Sequence, residues 1–69
     1  MLVKSEILAT VWEIKVSEGD EVEAGSLLLI LESMKMEIPV TAPAGARVVS
    51  VLVEQGQTVV EGDRLVELS

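Results

Sequence analysis

Short apolar runs alternate with polar turns along the whole chain, and no apolar stretch is long. The longest wholly apolar run is Leu27 to Leu31. Segments 11–16 and 48–53 follow the two-residue period of a β-strand. On that period Trp12, Ile14 and Val16 share one face with the equivalent Val49, Val51 and Val53, while Glu13 and Lys15 point the other way. The runs end in polar, glycine-bearing turns: Ser17-Glu18-Gly19-Asp20, Glu23-Ala24-Gly25-Ser26, Glu54-Gln55-Gly56-Gln57 and Glu61-Gly62-Asp63. Glycine supplies the positive φ that such turns often need. No stretch of helical length shows a 3.6-residue period. Short strands at close spacing, separated by glycine turns, predict an all-β fold: a flattened β-barrel or sandwich of short antiparallel strands.

The pattern also repeats. Shifted by 37 residues, residues 1–32 align with residues 38–69 without a gap and with nine identities. Gly19 falls on Gly56, Val22 on Val59, Gly25 on Gly62, Leu28 on Leu65 and Leu31 on Leu68. Val3, Ala9, Val11 and Val16 match Val40, Ala46, Val48 and Val53. Half of so short a chain cannot bury its apolar face alone, so the two halves are expected to pack with pseudo-twofold symmetry into one domain spanning 1–69. The twice-repeated Val-x-x-Gly-x-x-Val turn is read as structural, because the repeat carries it in both halves.

Composition narrows the chemistry. The chain has no histidine, cysteine or tyrosine, and Trp12 is its sole aromatic residue. The commonest general base, the thiol nucleophile and the soft metal ligands are therefore missing. No disulfide is possible, so stability must come from apolar packing. No catalytic residue and no metal site is expected. A net charge of −7 argues against nucleic acid and anionic membranes as partners. No run spans a bilayer, and Met1 to Glu6 lacks the apolar segment of a signal peptide. A cytoplasmic domain, monomeric and free-standing, is expected.

One segment escapes the repeat. Ser33-Met34-Lys35-Met36-Glu37 lies between the halves, and Lys35 is the middle residue of the chain. A hairpin tip at 33–37 would turn on Met34-Lys35, whereas two-residue hairpins favour Asn-Gly or glycine-containing pairs. Exposed methionines at a tip also oppose solubility. Where folding rules are broken without local benefit, function is the usual cause. Glu32 and Glu37 look like paired carboxylates but are read as solvated tip charges, since no pocket is apparent to tune them.

Here the sequence resembles a known family. Glu32-Ser33-Met34-Lys35-Met36-Glu37 is similar to the Glu-Ala-Met-Lys-Met signature of biotinyl domains, with serine for alanine. The glycine turns, the central hairpin and the length are similar too, across essentially the whole chain. The gap-free repeat leaves no room for the protruding segment of bacterial fatty-acid-synthesis carriers, so the resemblance is to the thumbless, single-domain biotin carboxyl carrier. Ala9 and Ala46 depart from the glycine that is usual at those positions.

The resemblance implies that biotin is the cofactor, joined covalently to Lys35 by a biotin protein ligase. A free lysine amine is protonated at neutral pH, so the ligase must remove the proton. Met34 and Met36 would flank the site and either shape recognition or cover apolar strand ends. A biotin carboxylase would load the tethered group, and a carboxyltransferase would unload it to an acceptor that this chain does not specify. The carrier would catalyse neither step. Two rivals stand beside this reading. A lipoyl-type acyl carrier shares the fold and the hairpin lysine but typically shows Asp-Lys-Ala at the tip. An interaction module of the same fold would leave Lys35 unmodified.

Overall fold

The computed structural model describes residues 1–69 and contains eight strands and no helix. These are β1 (Leu2–Lys4), β2 (Ala9–Ile14), β3 (Glu21–Val22), β4 (Leu27–Ser33), β5 (Met36–Thr41), β6 (Ala46–Val51), β7 (Thr58–Val59) and β8 (Arg64–Leu68). They form two four-stranded sheets, ordered β1-β8-β6-β3 and β5-β4-β2-β7. Every pairing is antiparallel. The 37-residue shift turns one sheet order into the other, so the expected pseudo-twofold is present. Each sheet takes two strands from each half.

The halves also exchange backbone hydrogen bonds. Gly19 N–H donates to the Val48 carbonyl, and Gly56 N–H to the Val11 carbonyl, both at 2.8 Å. In return Val48 N–H donates to Asp20 and Val11 N–H to Gln57, again at 2.8 Å. The turn of one half thus closes on the long strand of the other. Gly19, at φ 94°, sits where a side chain would be strained. Asp20 N–H closes this turn on the Ser17 carbonyl, and the Asp20 carboxylate accepts from Ser17 N–H. The same reciprocal pair recurs at Glu23/Ser26, Glu54/Gln57 and Val60/Asp63. The turn glycines are structural, as their repetition implies.

Symmetry-related residues fill the core. Leu28, Leu29 and Leu31 of β4 meet Leu65, Val66 and Leu68 of β8, with Val11, Val48 and Val59 fully buried among them. Ser5 is the one buried polar residue; its hydroxyl donates to the Ile7 carbonyl at 2.7 Å. Ala9 and Ala46 begin β2 and β6 as ordinary strand residues, paired with Val59 and Val22. Alanine suits both places, since neither requires a positive φ.

One expectation is corrected. Trp12 and Val49 do not share the core face with Ile14, Val16, Val51 and Val53. The register of β2 against β4 jumps between Val11 and Glu13, and that of β6 against β8 jumps between Val48 and Ser50. A β-bulge inserts one residue and resets the alternation. Val11 and Val48 therefore point inward, while Trp12 and Val49 are extruded and exposed. Beyond the bulge Ile14 and Val51 return to the core side. The strands also begin two residues earlier than the alternating segments predict.

Candidate functional site

The β4–β5 hairpin builds the site. Its ladder runs from Leu27 opposite Thr41 out to Ser33 opposite Met36, leaving Met34-Lys35 as a two-residue turn. Both turn residues have positive φ, 53° at Met34 and 65° at Lys35, and no other non-glycine residue does. Two positive φ values in a two-residue loop are the mark of the type I′ turn, whose twist matches the flanking strands. An L-residue with a Cβ is disfavoured in this region by roughly 1–2 kcal/mol. Asparagine and glycine would ease that cost. The backbone strain therefore sits on the segment that breaks the repeat, as it often does at functional sites.

From Met34 to Glu37 the tip is solvent-facing. Met34 is 91% exposed and Met36 66%. Lys35 is exposed and belongs to neither ion pair of the molecule, which join Lys15 to Glu13 and Arg47 to Glu21. The three residues expected at the site, Met34, Lys35 and Met36, thus stand together. At its exposure Met34 covers no strand end. The unpaired amine stands on an open tip, where an incoming group reaches it unobstructed.

One row below, Glu32 of β4 stands directly opposite Glu37 of β5. Like charges in register oppose strand pairing. The pair lies on an open strand surface, with Glu37 exposed and Glu32 half-buried, not in a cleft. An open groove lies between β1 and β5, lined by Leu2, Val3, Ile7, Ile38, Val40 and Pro43 among others. Its one hydroxyl close to the core, that of Ser5, is engaged with Ile7. No nucleophile there faces a base. The Glu32–Glu37 register follows from the two-residue turn expected at Met34-Lys35; alternation alone missed the extrusion of Trp12, because a bulge depends on strand pairing.

A small β scaffold that holds one strained, exposed lysine at its tip is a carrier domain: it presents a side chain and encloses no reaction. Residues 2–68 match the biotin/lipoyl attachment family, described as "Biotin-requiring enzyme", and the chain belongs to that family. It is 46% identical over 67 residues to the biotinylated protein TB7.3 homolog of Mycobacterium leprae, covering 97% of this chain and 94% of that protein. Among solved structures, urea carboxylase of Kluyveromyces lactis contains a domain similar to the whole chain, with TM-score 0.93 and 33% identity; the match spans 6% of that enzyme. The lipoyl domain of the 2-oxoglutarate dehydrogenase complex of Azotobacter vinelandii is similar at TM-score 0.78 and 26% identity, over 90% of this chain and 78% of that one. The chain is a biotin carrier domain, homologous to the carrier domains of carboxylases and not catalytic by itself.

Proposed function

We propose that Lys35 is the residue that takes biotin: a biotin protein ligase activates the biotin carboxylate with ATP as an acyl adenylate, releasing pyrophosphate, and the deprotonated Lys35 Nζ displaces AMP to form the amide. The observation that carries this is the tip itself: the free lysine occupies a left-handed turn position where its own side chain is disfavoured. Met34 and Met36 flank it as exposed, adaptable apolar contacts for the enzymes that handle it. Once attached, biotin supplies a ring nitrogen that accepts and releases a carboxyl group. The chain's part is mechanical. The paired strands β4 and β5 aim the tip, and the unbranched lysine stem provides reach. Holding the cargo on a tether raises its effective concentration at each site visited.

The partners that fit are the ligase, a biotin carboxylase and a carboxyltransferase. The similarity to a domain of urea carboxylase supports this reading, and the acceptor is left to the carboxyltransferase. We place the chain in the cytoplasm as a monomer, where ATP for biotin activation is at hand. The test is intact-mass measurement after incubation with biotin, ATP and an active biotin protein ligase. Wild type is expected to gain one biotinyl group, and Lys35→Arg none. Modification of Lys35→Arg would place the site elsewhere. Modification of wild type by a lipoate ligase alone would favour a lipoyl carrier.

A further inference from the structure

The tip is not the only place where the two halves differ in kind. The two β-bulges are symmetry mates, and each extrudes its inserted residue to solvent. In the sheet that carries the tip that residue is Trp12, 49% exposed; in the other sheet it is Val49. The row beside the bulge differs as well. Across the tip sheet Glu13, Ile30 and Pro39 lie in register. The equivalent row of the other sheet is Ser50, Glu67 and Leu2. The tip sheet therefore sets Trp12, a half-buried Ile30 and Pro39 side by side with Glu13 at the end of the row, whereas its counterpart places Glu67 in the middle, between Ser50 and Leu2. Ile30 lies on the side of β4 opposite the buried Leu29 and Leu31. An exposed tryptophan contributes nothing to the core, and tryptophan is among the residues that dominate binding interfaces.

We infer that the outer face of the tip sheet, centred on Trp12 with Ile30 and Pro39, is the surface on which the enzyme that modifies Lys35 docks. The inference rests on the carrier reading given above. Distance supports it. Ile30 lies five residues from Lys35 along β4, about 17 Å at strand rise. A standard interface covers about 800 Å² on each partner, a patch about 16 Å in radius. The whole domain exposes 4349 Å². A partner that takes hold of so small a tip must rest on one side of its stem, and only on this side are the apolar residues contiguous, since Glu67 separates Val49 from Leu2 on the other. Charge states the partner's chemistry. Glu32 and Glu37 of the same sheet have no cationic partner, whereas Glu13 is already paired with Lys15 at 3.0 Å. The matching surface is an apolar cleft rimmed by lysine and arginine, with arginine favoured against the indole face.

The symmetry supplies the variants. Trp12→Val and Ile30→Glu install the residues that the other half carries at the same places, so each has a precedent in this fold. Biotinylation by a biotin protein ligase is followed at varied carrier concentration, with Val49→Ala on the opposite sheet as control. Trp12→Val and Ile30→Glu are expected to raise KM about tenfold or more with little change in kcat, and Val49→Ala to leave both unchanged. Unchanged KM in both tip-sheet variants overturns the inference. A second measurement does not depend on the variants' folding. The carrier is labelled with 5-fluorotryptophan, and its single ¹⁹F resonance is recorded on the Lys35→Arg background while ligase is added. A chemical-shift change supports docking at Trp12; an unmoved resonance that only broadens, as slower tumbling of any complex would make it, or that does not change at all at a ligase concentration that modifies wild type, overturns it. If wild type takes no biotin from an active ligase, the carrier reading fails and this one with it. If wild type is modified normally and Trp12 is indifferent, the docking surface alone is wrong.

Discussion

Met34 and Lys35 occupy backbone conformations that their side chains disfavour, and the molecule has gained an outward-facing lysine at that cost. Asparagine visits the left-handed region more readily than methionine. Met34→Asn is therefore expected to stabilise the domain by about 1 kcal/mol, a rise of about 4–8 °C in Tm for a domain of this size. The same substitution removes an exposed apolar contact beside the lysine, so biotinylation should slow while the melt improves. A thermal melt and a ligase rate on one sample check both. A variant that gains stability and keeps its full rate would show that Met34 is dispensable for recognition. Trp12 is the other residue whose placement costs something, because its indole is given to solvent and not to the core.

At the scale of the element, the hairpin and the bulge divide the work. The hairpin extends the β4–β5 ladder beyond Leu31–Ile38, the last row with core contacts, through Glu32–Glu37 to Ser33–Met36. These outer rows are held by strand pairing alone, against the repulsion of two facing carboxylates. Glu37→Lys turns that repulsion into attraction and is expected to stabilise the domain by about 0.2–1 kcal/mol. Because Glu37 is exposed and Glu32 only half-buried, the gain should shrink as salt is raised. Denaturant melts at low and high salt give the number, and a variant equal to wild type at low salt would mean the facing charges are already relaxed. Pro39 is tolerated in β5 because that strand is the edge of its sheet, where a missing N–H breaks no inner ladder. The bulge in β2 changes which residue is presented: one inserted position sends Val11 into the core and Trp12 out.

For the whole molecule, the decisive fact is that neither half owns a sheet. Strands β1 and β3 of the first half lie with β8 and β6, while β2 and β4 lie with β5 and β7. Each glycine turn donates to the opposite half, and the core pairs Leu28 and Leu31 with Leu65 and Leu68. A peptide of residues 1–32 is thus expected to lack strand signal in circular dichroism and to melt without a cooperative transition, whereas the full chain melts in one. A cooperative melt of the half peptide would contradict the interleaved core. This interleaving is also how a chain of 69 residues without a disulfide builds one core from which the hairpin projects.

Much of this was legible along the chain. The 37-residue repeat, the glycine turns and the Met34-Lys35-Met36 segment between the halves announced a symmetric β domain built around one lysine. Those features are local or periodic, and local chemistry determines them: glycine for positive φ, alternation for strands, a broken rule at the tip. The sequence also determined membership of the carrier family, since the motif and the repeat coincide. Only the tertiary structure decided which residues face outward on β2 and β6. Strict alternation placed Trp12 inside, because a bulge is a mismatch between two strands and leaves no mark in the period of one. The exchange of strands between the two sheets was decided there too. Each is a property of pairing between distant segments, and pairing is settled by which register buries the most apolar surface while keeping every inner hydrogen bond.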